Sequence, residues 1–213
     1  VNDLEKLAGI VFDLGVSSHQ LDTPERGFSF QKAGPLDMRM DQELTVRARD
    51  LINGLTKQEL SELFYKLGEE YRSRVIAHAI VSEREKKQIE TTEELEKIVR
   101  HAVGGRFSKV GKHISTHPAT KVFQALRIAI NDEVHTLEEA LPKALQLLDA
   151  GGRIVVISFH SLEDRIIKNT FKNWQKNGLG QILTDKPVTP TEAEIAQNAR
   201  SRSSKLRAFE KQL

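Results

Sequence analysis

The sequence predicts an α/β protein in which a helical subdomain interrupts strand-bearing segments. Three observations carry that reading. Gly9-Ile10-Val11-Phe12 is a short apolar run closing on Asp13 and Gly15, the pattern of a buried strand over 9–14. Arg153–Phe159 is a β-branched run that reads as a second, fully buried strand. Between them, residues 42–105 carry helical stripes and no strand of their own.

Element by element, residues 1–8 read as the end of a helix, followed by the first strand. From Asp13 to Asp41 the sequence then follows neither a 2.0 nor a 3.6 period, yet keeps Phe28, Phe30, Met38, Met40 and several charge pairs. A long aperiodic segment at the carboxyl end of a buried strand is where α/β proteins place ligands, and flexible linkers are poorer in aromatics. It reads as an active-site loop. Thr56-Lys57-Gln58-Glu59 is a capping-box pattern ahead of Leu60, Leu63, Phe64 and Leu67, with Gly68 as a stop. Val75, Ile76, Ala79 and Ile80 mark the next helix. Thr91-Thr92-Glu93-Glu94 opens another, with Leu95, Ile98, Val99 and Ala102 inward and Gly104-Gly105 ending it.

Beyond residue 118, Val122, Phe123, Leu126, Ala129 and Ile130 form one stripe and Val134, Leu137, Leu141, Leu145 and Leu148 the next, with Pro142 expected to kink it or start a new turn. Gly151-Gly152 reads as a turn before the second strand. The last thirty residues look loop-rich, with a terminal strand around 205–210. Two confident strands do not make a stable doubly wound sheet. Either the fold is mostly helical or its first half is missing.

At 38% hydrophobic and 29% charged, the 213 residues describe a globular protein, and no apolar run approaches the ~18 residues that cross a bilayer. The absence of cysteine excludes disulfides and thiolate metal sites and fits a cytoplasmic location. A net charge of +2 hides an uneven distribution. Six basic residues and three histidines, with no acid, lie between Arg100 and Asn131. Arg200, Arg202, Lys205, Arg207 and Lys211 crowd the carboxyl end against Glu210. Separated basic patches suit a polyanion partner, although solvated charge balanced by acidic helices gives the same pattern.

Three constellations carry chemistry. Asp13 would stand at the sheet edge, Gly15 would admit close backbone approach, and Ser17 and Ser18 add hydroxyls. An isolated strand-end Asp also commonly caps a turn. Asp-x-Gly with following hydroxyls resembles a kinase-type phosphate loop too, but Gln20–Pro24 breaks the second strand such a loop needs. Ser158–Arg165 places His160 and Ser161 at the end of the other strand, facing the crevice of Asp13 if the strands run parallel. No Gly-x-Ser-x-Gly elbow accompanies them, which argues against a hydrolase. His113, His117 and His160 make a weak metal set, and no metal is expected. Finally, His117-Pro118-Ala119-Thr120 precedes a helix bearing Lys121 and Arg127, capped by Thr116 or Thr120.

Together, Asp13–Leu21, Glu25–Phe30, Gly34–Asp41, Gly68-Glu69-Glu70, His117–Thr120, Phe123-Gln124-Ala125, Arg127-Ile128, Gly151-Gly152-Arg153, Ile157–Ile166, and Arg200, Arg202-Ser203 and Leu206-Arg207 resemble, in order, the bacterial ribosomal RNA small-subunit methyltransferase H family. The resemblance covers essentially the whole chain. It implies a partial class I, Rossmann-like methyltransferase sheet, made by 1–41 and 106–213, with an all-helical domain inserted at 42–105. It implies S-adenosyl-L-methionine as cofactor and, as reaction, methylation of the N4 amino group of a decoding-centre cytidine in the 16S rRNA of the small ribosomal subunit. Nothing here matches the family's amino-terminal Gly-rich cofactor loop, so the chain looks like a fragment lacking part of the cofactor site.

Carried over by position, Asp13 and Gln20 contact the cofactor, and Asp13, Gly15, Ser17 and Ser18 form the catalytic loop. Phe28, Phe30, His160 and Ser161 belong to the substrate pocket, with loop core as the competing role of both Phe. Lys109, Lys112, Lys121, Arg127, Arg200, Arg202 and Lys205 would grip rRNA phosphates. The alternative is a non-catalytic RNA- or ribosome-binding module. No membrane partner is expected. The strand at 9–14 should show an open edge, able to pair with a second copy as a homodimer or with another segment.

Overall fold

A computed structural model describes residues 6–104 and 117–212. The chain divides into two compact units, 1–15 with 134–213, and 16–133.

The first unit is built on a four-stranded sheet of order β1-β2-β4-β3, from β1 (Leu7–Asp13), β2 (Leu148–Ser158), β3 (Gly180–Ile182) and β4 (Lys205–Lys211). β1 and β2 run parallel, with Ile10 opposite Ile154 and Asp13 opposite Ile157. β4 is antiparallel to both β2 and β3, so β3 points the same way as β1 and β2. This is a partial Rossmann-like sheet. Both expected strands are present, although Leu7 and Ala8 already belong to β1 rather than to a helix. The expected glycine turn becomes an irregularity inside β2, where the pairing slips from Leu7–Leu148 to Gly9–Arg153 and Gly151 takes φ 78°. β3 escaped the sequence reading because three residues carry no period.

Helices α7 (Glu133–Leu147) and α8 (Ser161–Lys176) supply the rest of this unit's core. Leu141, Leu148, Ile154, Val156, Ile167 and Phe209 are fully buried there. Phe171, Trp174 and Phe209 meet at centroid separations of 5.3–5.5 Å, within aromatic pairing range. Pro142 sits inside an unbroken α7. A short helix α9 (Glu192–Gln197) and a 3-10 segment at Ala199–Ser203 precede β4.

β1 closes one end of the sheet. Among the described residues its only strand neighbour is β2, and Val11 is 69% exposed. The open edge expected at 9–14 is therefore present.

The second unit has no strand of four or more residues among its described residues. It comprises α1 (Ser18–Asp22), α2 (Ala48–Gly54), α3 (Lys57–Lys66), α4 (Ser73–Arg84), α5 (Thr92–Ala102) and α6 (Pro118–Ile130). The two capping boxes read from sequence both form. Thr56 Oγ1 accepts from the Glu59 N–H and Glu59 answers the Thr56 N–H; Thr91 and Glu94 repeat the pattern. Leu60, Phe64, Ile76, Ile80, Leu95, Val99, Val122 and Leu126 make one core with Leu36, Met38 and Ile52. The cap of α6 is His117, whose Nδ1 accepts the Ala119 N–H at 3.2 Å, rather than Thr120, while Thr116 lies outside the described residues.

Candidate active site

β1 carries Asp13 to the carboxyl edge of the sheet, opposite Ile157, and the Leu14 N–H extends the ladder to the Ile157 carbonyl at 3.1 Å. The Asp13 carboxylate is exposed and makes no hydrogen bond or ion pair among the described residues. Gly15 follows with φ 85°, a conformation that costs a side-chain-bearing residue energy. The next residues fold as α1, a helix that the aperiodic pattern concealed. Ser17 caps it: Ser17 Oγ accepts from the Gln20 N–H and Gln20 Oε1 accepts from the Ser17 N–H at 2.9 Å. Gln20 thus spends its amide oxygen locally and keeps its amide N–H₂ uncommitted among the described residues.

At the end of β2, the same carboxyl edge, the chain turns into α8. His160 is its N-cap: the buried ring accepts the Glu163 N–H on Nδ1 at 3.4 Å. With Nδ1 accepting, Nε2 is the ring nitrogen left to donate. That nitrogen lies 3.2 Å from Glu163 Oε1 but is not aligned for a hydrogen bond, so a buried donor faces no proper acceptor. Glu163 Oε2 meanwhile accepts the N–H groups of Phe159 and His160. Because β1 and β2 are parallel neighbours, Asp13 and the His160-Ser161 pair share one sheet edge, as the sequence suggested.

The aperiodic segment is stiffened from within. Arg26 donates to the carbonyls of Arg39 and Met40 at 2.7 and 2.9 Å, and Asn131 bridges the Met38 carbonyl and the Met40 N–H. Asp37 pairs with Arg39 at 2.7 Å and lies near Arg47. Burial would raise its carboxyl pKa, but hydrogen bonds and charge from Arg39, helped by Arg47, hold it below the usual value. Met38, fully buried, sits at φ 65°, an uncommon conformation for a bulky residue and one that surrounding structure must impose. Gly27, at φ 70°, leaves no room for a Cβ, which would fall 2.2 Å from the Pro35 carbonyl oxygen. A Cβ on Gly34 would fall 2.0 Å from that of Pro24.

Phe28 is buried in the helical core beneath the Arg26 guanidinium, 5.7 Å away. Phe30 is half-buried, 4.8 Å from the His117 ring and 5.1 Å from Phe123.

These two loops, one after each parallel strand, belong to a chain whose residues 1–212 match the model of the MraW methylase family. The chain belongs to that family. Proteins named "Ribosomal RNA small subunit methyltransferase H" from Coprothermobacter proteolyticus, Neorickettsia sennetsu and Trichormus variabilis are 48%, 50% and 51% identical to it, over 98%, 97% and 95% of its length. It spans 68%, 67% and 63% of those relatives. The family is of the S-adenosylmethionine-dependent type, and the residues present fit such a ligand. An uncommitted carboxylate at Asp13 suits an amine or hydroxyl, and the spare amide of Gln20 suits a carboxylate.

The basic residues divide by what they touch. Arg127 is held by two hydrogen bonds to Glu133, at 2.8 and 3.0 Å, and is largely buried. Lys205 and Arg207 both grip Asp164, at 3.2 and 2.6 Å. Burial would raise the Asp164 pKa, but these two cations keep it low. Arg202 and Arg200 are exposed on the 3-10 segment, and Lys121 donates to the Glu69 carbonyl at 2.7 Å. Lys109, Lys112 and His113 lie outside the described residues. Sequence reasoning missed Arg26, Asn131, Glu163 and Asp164, whose work is holding loops and cations in place. Only Glu163 carried a signal, three residues after His160 at a helix start.

Proposed function

We propose that this chain is the carboxyl-terminal part of an enzyme that uses S-adenosyl-L-methionine to methylate the N4 amino group of a decoding-centre cytidine in 16S rRNA. The observation that carries the reading is the shared carboxyl edge of the parallel neighbours β1 and β2, where Asp13 ends one strand and His160 follows the other, in a chain whose residues 1–212 match the family. The fragment reading rests on the open edge of β1 and the exposed Val11, which a further strand would cover. The domain division proposed is 1–41 with 106–213 for the methyltransferase part and 42–105 for the insert. The place of action proposed is the cytoplasm.

When bound, the cofactor supplies an electrophilic methyl group on a sulfonium. The chain's own residues do the positioning. Asp13 and Gln20 hold polar groups of the cofactor. The exocyclic amine of cytosine is a poor nucleophile because its lone pair is delocalised into the ring. Acceptors on the Asp13–Ser18 loop can take its N–H protons and favour a pyramidal nitrogen, so that catalysis is mainly orientation and electrostatics. The His160 Nε2–H suits an acceptor on the edge of the extruded base. Of the two Phe, Phe30 keeps part of its ring exposed for stacking on a base, and Phe28, buried, supports the loop.

The test is calorimetric titration of S-adenosylmethionine into the 213-residue chain beside a version carrying the amino-terminal third of its relatives. It is paired with methyl transfer to small subunits that lack the modification. Binding and transfer by the longer version, with weak or no binding by the short one, supports the proposal. Binding by neither moves the weight to a non-catalytic RNA-binding module.

A further inference from the structure

Two tyrosines are the only ones in the chain, and both are on the surface of the helical unit. Tyr71 is 81% exposed and Tyr65 is 55% exposed. Their rings meet edge to face, at 6.3 Å and 70°. Exposed rings like these bury little area, so they contribute little to folding. The turn that links them is nevertheless held rigidly. Gly68 packs where a Cβ would lie 2.5 Å from the Lys121 carbonyl oxygen, and Glu69 adopts φ 51°. The Glu70 carboxylate is buried and accepts the Arg72 N–H at 2.9 Å. Gln124 donates to the Leu67 carbonyl, and Lys121 Nζ, anchored on the Glu69 carbonyl, stands 5.4 Å from the centre of the Tyr71 ring.

The surrounding charge is positive where it is uncommitted. Arg74 is exposed and forms no ion pair among the described residues, and Arg72 only approaches Glu70, at 3.7 Å. Of the nearby carboxylates, Glu62 is taken by Lys66, Glu69 is engaged in an interaction of its own, and Glu70 is buried. Rigid exposed aromatic rings beside cations match the design of single-strand nucleic-acid platforms, in which bases stack on side chains and the cations follow the backbone.

We infer that Tyr71 and Tyr65, with Lys121, Arg72 and Arg74, form a stacking platform for unpaired bases of an RNA strand. This rests on RNA being the substrate, and it assigns the contact to residues outside the two strand-end loops. A duplex offers no free base face, so the platform discriminates single strands from helices. It would hold unpaired nucleotides of the substrate strand.

The test measures binding of the whole chain to a fluorescently labelled single-stranded RNA and to the duplex of the same sequence, for wild type, Tyr71→Ala, Tyr71→Phe and Arg74→Ala. Thermal unfolding controls for misfolding. The expected result is single-strand binding weakened roughly five- to 150-fold by Tyr71→Ala and about unchanged by Tyr71→Phe, with duplex binding unaffected. Arg74→Ala should lower the salt slope by about 0.7. A strand carrying 5-iodouracil should crosslink to Tyr71 on irradiation. Wild-type binding that Tyr71→Ala leaves intact overturns the platform while the RNA reading stands. A loss seen with intact small subunits but not with deproteinised RNA overturns it in favour of a protein contact. No RNA binding by the wild type overturns both, whereas cofactor titration tests the methyltransferase reading alone.

Discussion

In the helical unit Ile52, Phe64, Ile76, Leu95 and Leu126 are all completely shielded, whereas in the sheet unit Val11, at the centre of an apolar strand, is 69% exposed. The contrast is sharpest between β1 and its neighbour. Both carry Ile and Val, yet among the described residues β2 lies between two strands and β1 has one. A run of β-branched residues records that a strand should be covered, not whether the covering is at hand. The helical unit closes on its own residues, and the sheet unit leaves a ladder edge to be filled.

The largest effect should come from that closed core. Phe64→Ala is expected to cost about 3–5 kcal/mol, and Phe209→Ala in the sheet unit a similar amount, read from urea midpoints. If Phe64→Ala costs under about 1 kcal/mol, the helical unit is not the tightly closed body described. Next comes Gly27→Ala, which meets both a positive φ and the Pro35 carbonyl. A loss of about 1–3 kcal/mol is expected, and a neutral result would mean that the loop yields.

A smaller effect belongs to α5. Thr91→Ala should cost about 1 kcal/mol by removing its cap. Its partner Glu94 gives the same box a pH signature. Hydrogen bonds from Lys87 and then from the Glu90 N–H, against opposing burial and with further help from Thr91, bring its pKa from 4.5 down to about 2. A carboxylate lowered on folding stabilises fully above its unfolded pKa and loses that contribution as it protonates. Stability should therefore drop as pH falls from 4.5 towards 2, and Glu94→Gln should flatten that limb of the denaturation profile. An unchanged limb would mean that other carboxylates, such as Asp164, dominate. The smallest effect sharpens the contrast most. Val11→Lys should change the stability of this chain by no more than about 0.5 kcal/mol, and should cost far more in a version whose β1 edge is covered.

Much of this was legible in the sequence because it was periodic or capped. The boxes at Thr56 and Thr91, the helical stripes and the strand at 153–159 all announce themselves by spacing. The glycines at 151–152 were visible as a break, though not as an irregularity within one strand. α1 and β3 were not visible, since five and three residues are too short to show a period. For the candidate site, strand-end position marked Asp13 and His160. The fate of the cations was hidden: Arg127 turns to Glu133 across the short turn after α6, and Lys205 meets Asp164 through tertiary packing that composition does not encode.

The reciprocal approach of Gly27 to the Pro35 carbonyl and of Gly34 to that of Pro24 has an evolutionary consequence. Each glycine occupies space that the opposite arm of the loop already fills, so neither can acquire even a methyl group unless the other arm retreats. The two arms act as a clasp with matched halves. Single-step drift at either position is blocked by the other, and variation in this segment should accumulate at exposed Gln31 and Lys32 while the clasp itself stands still.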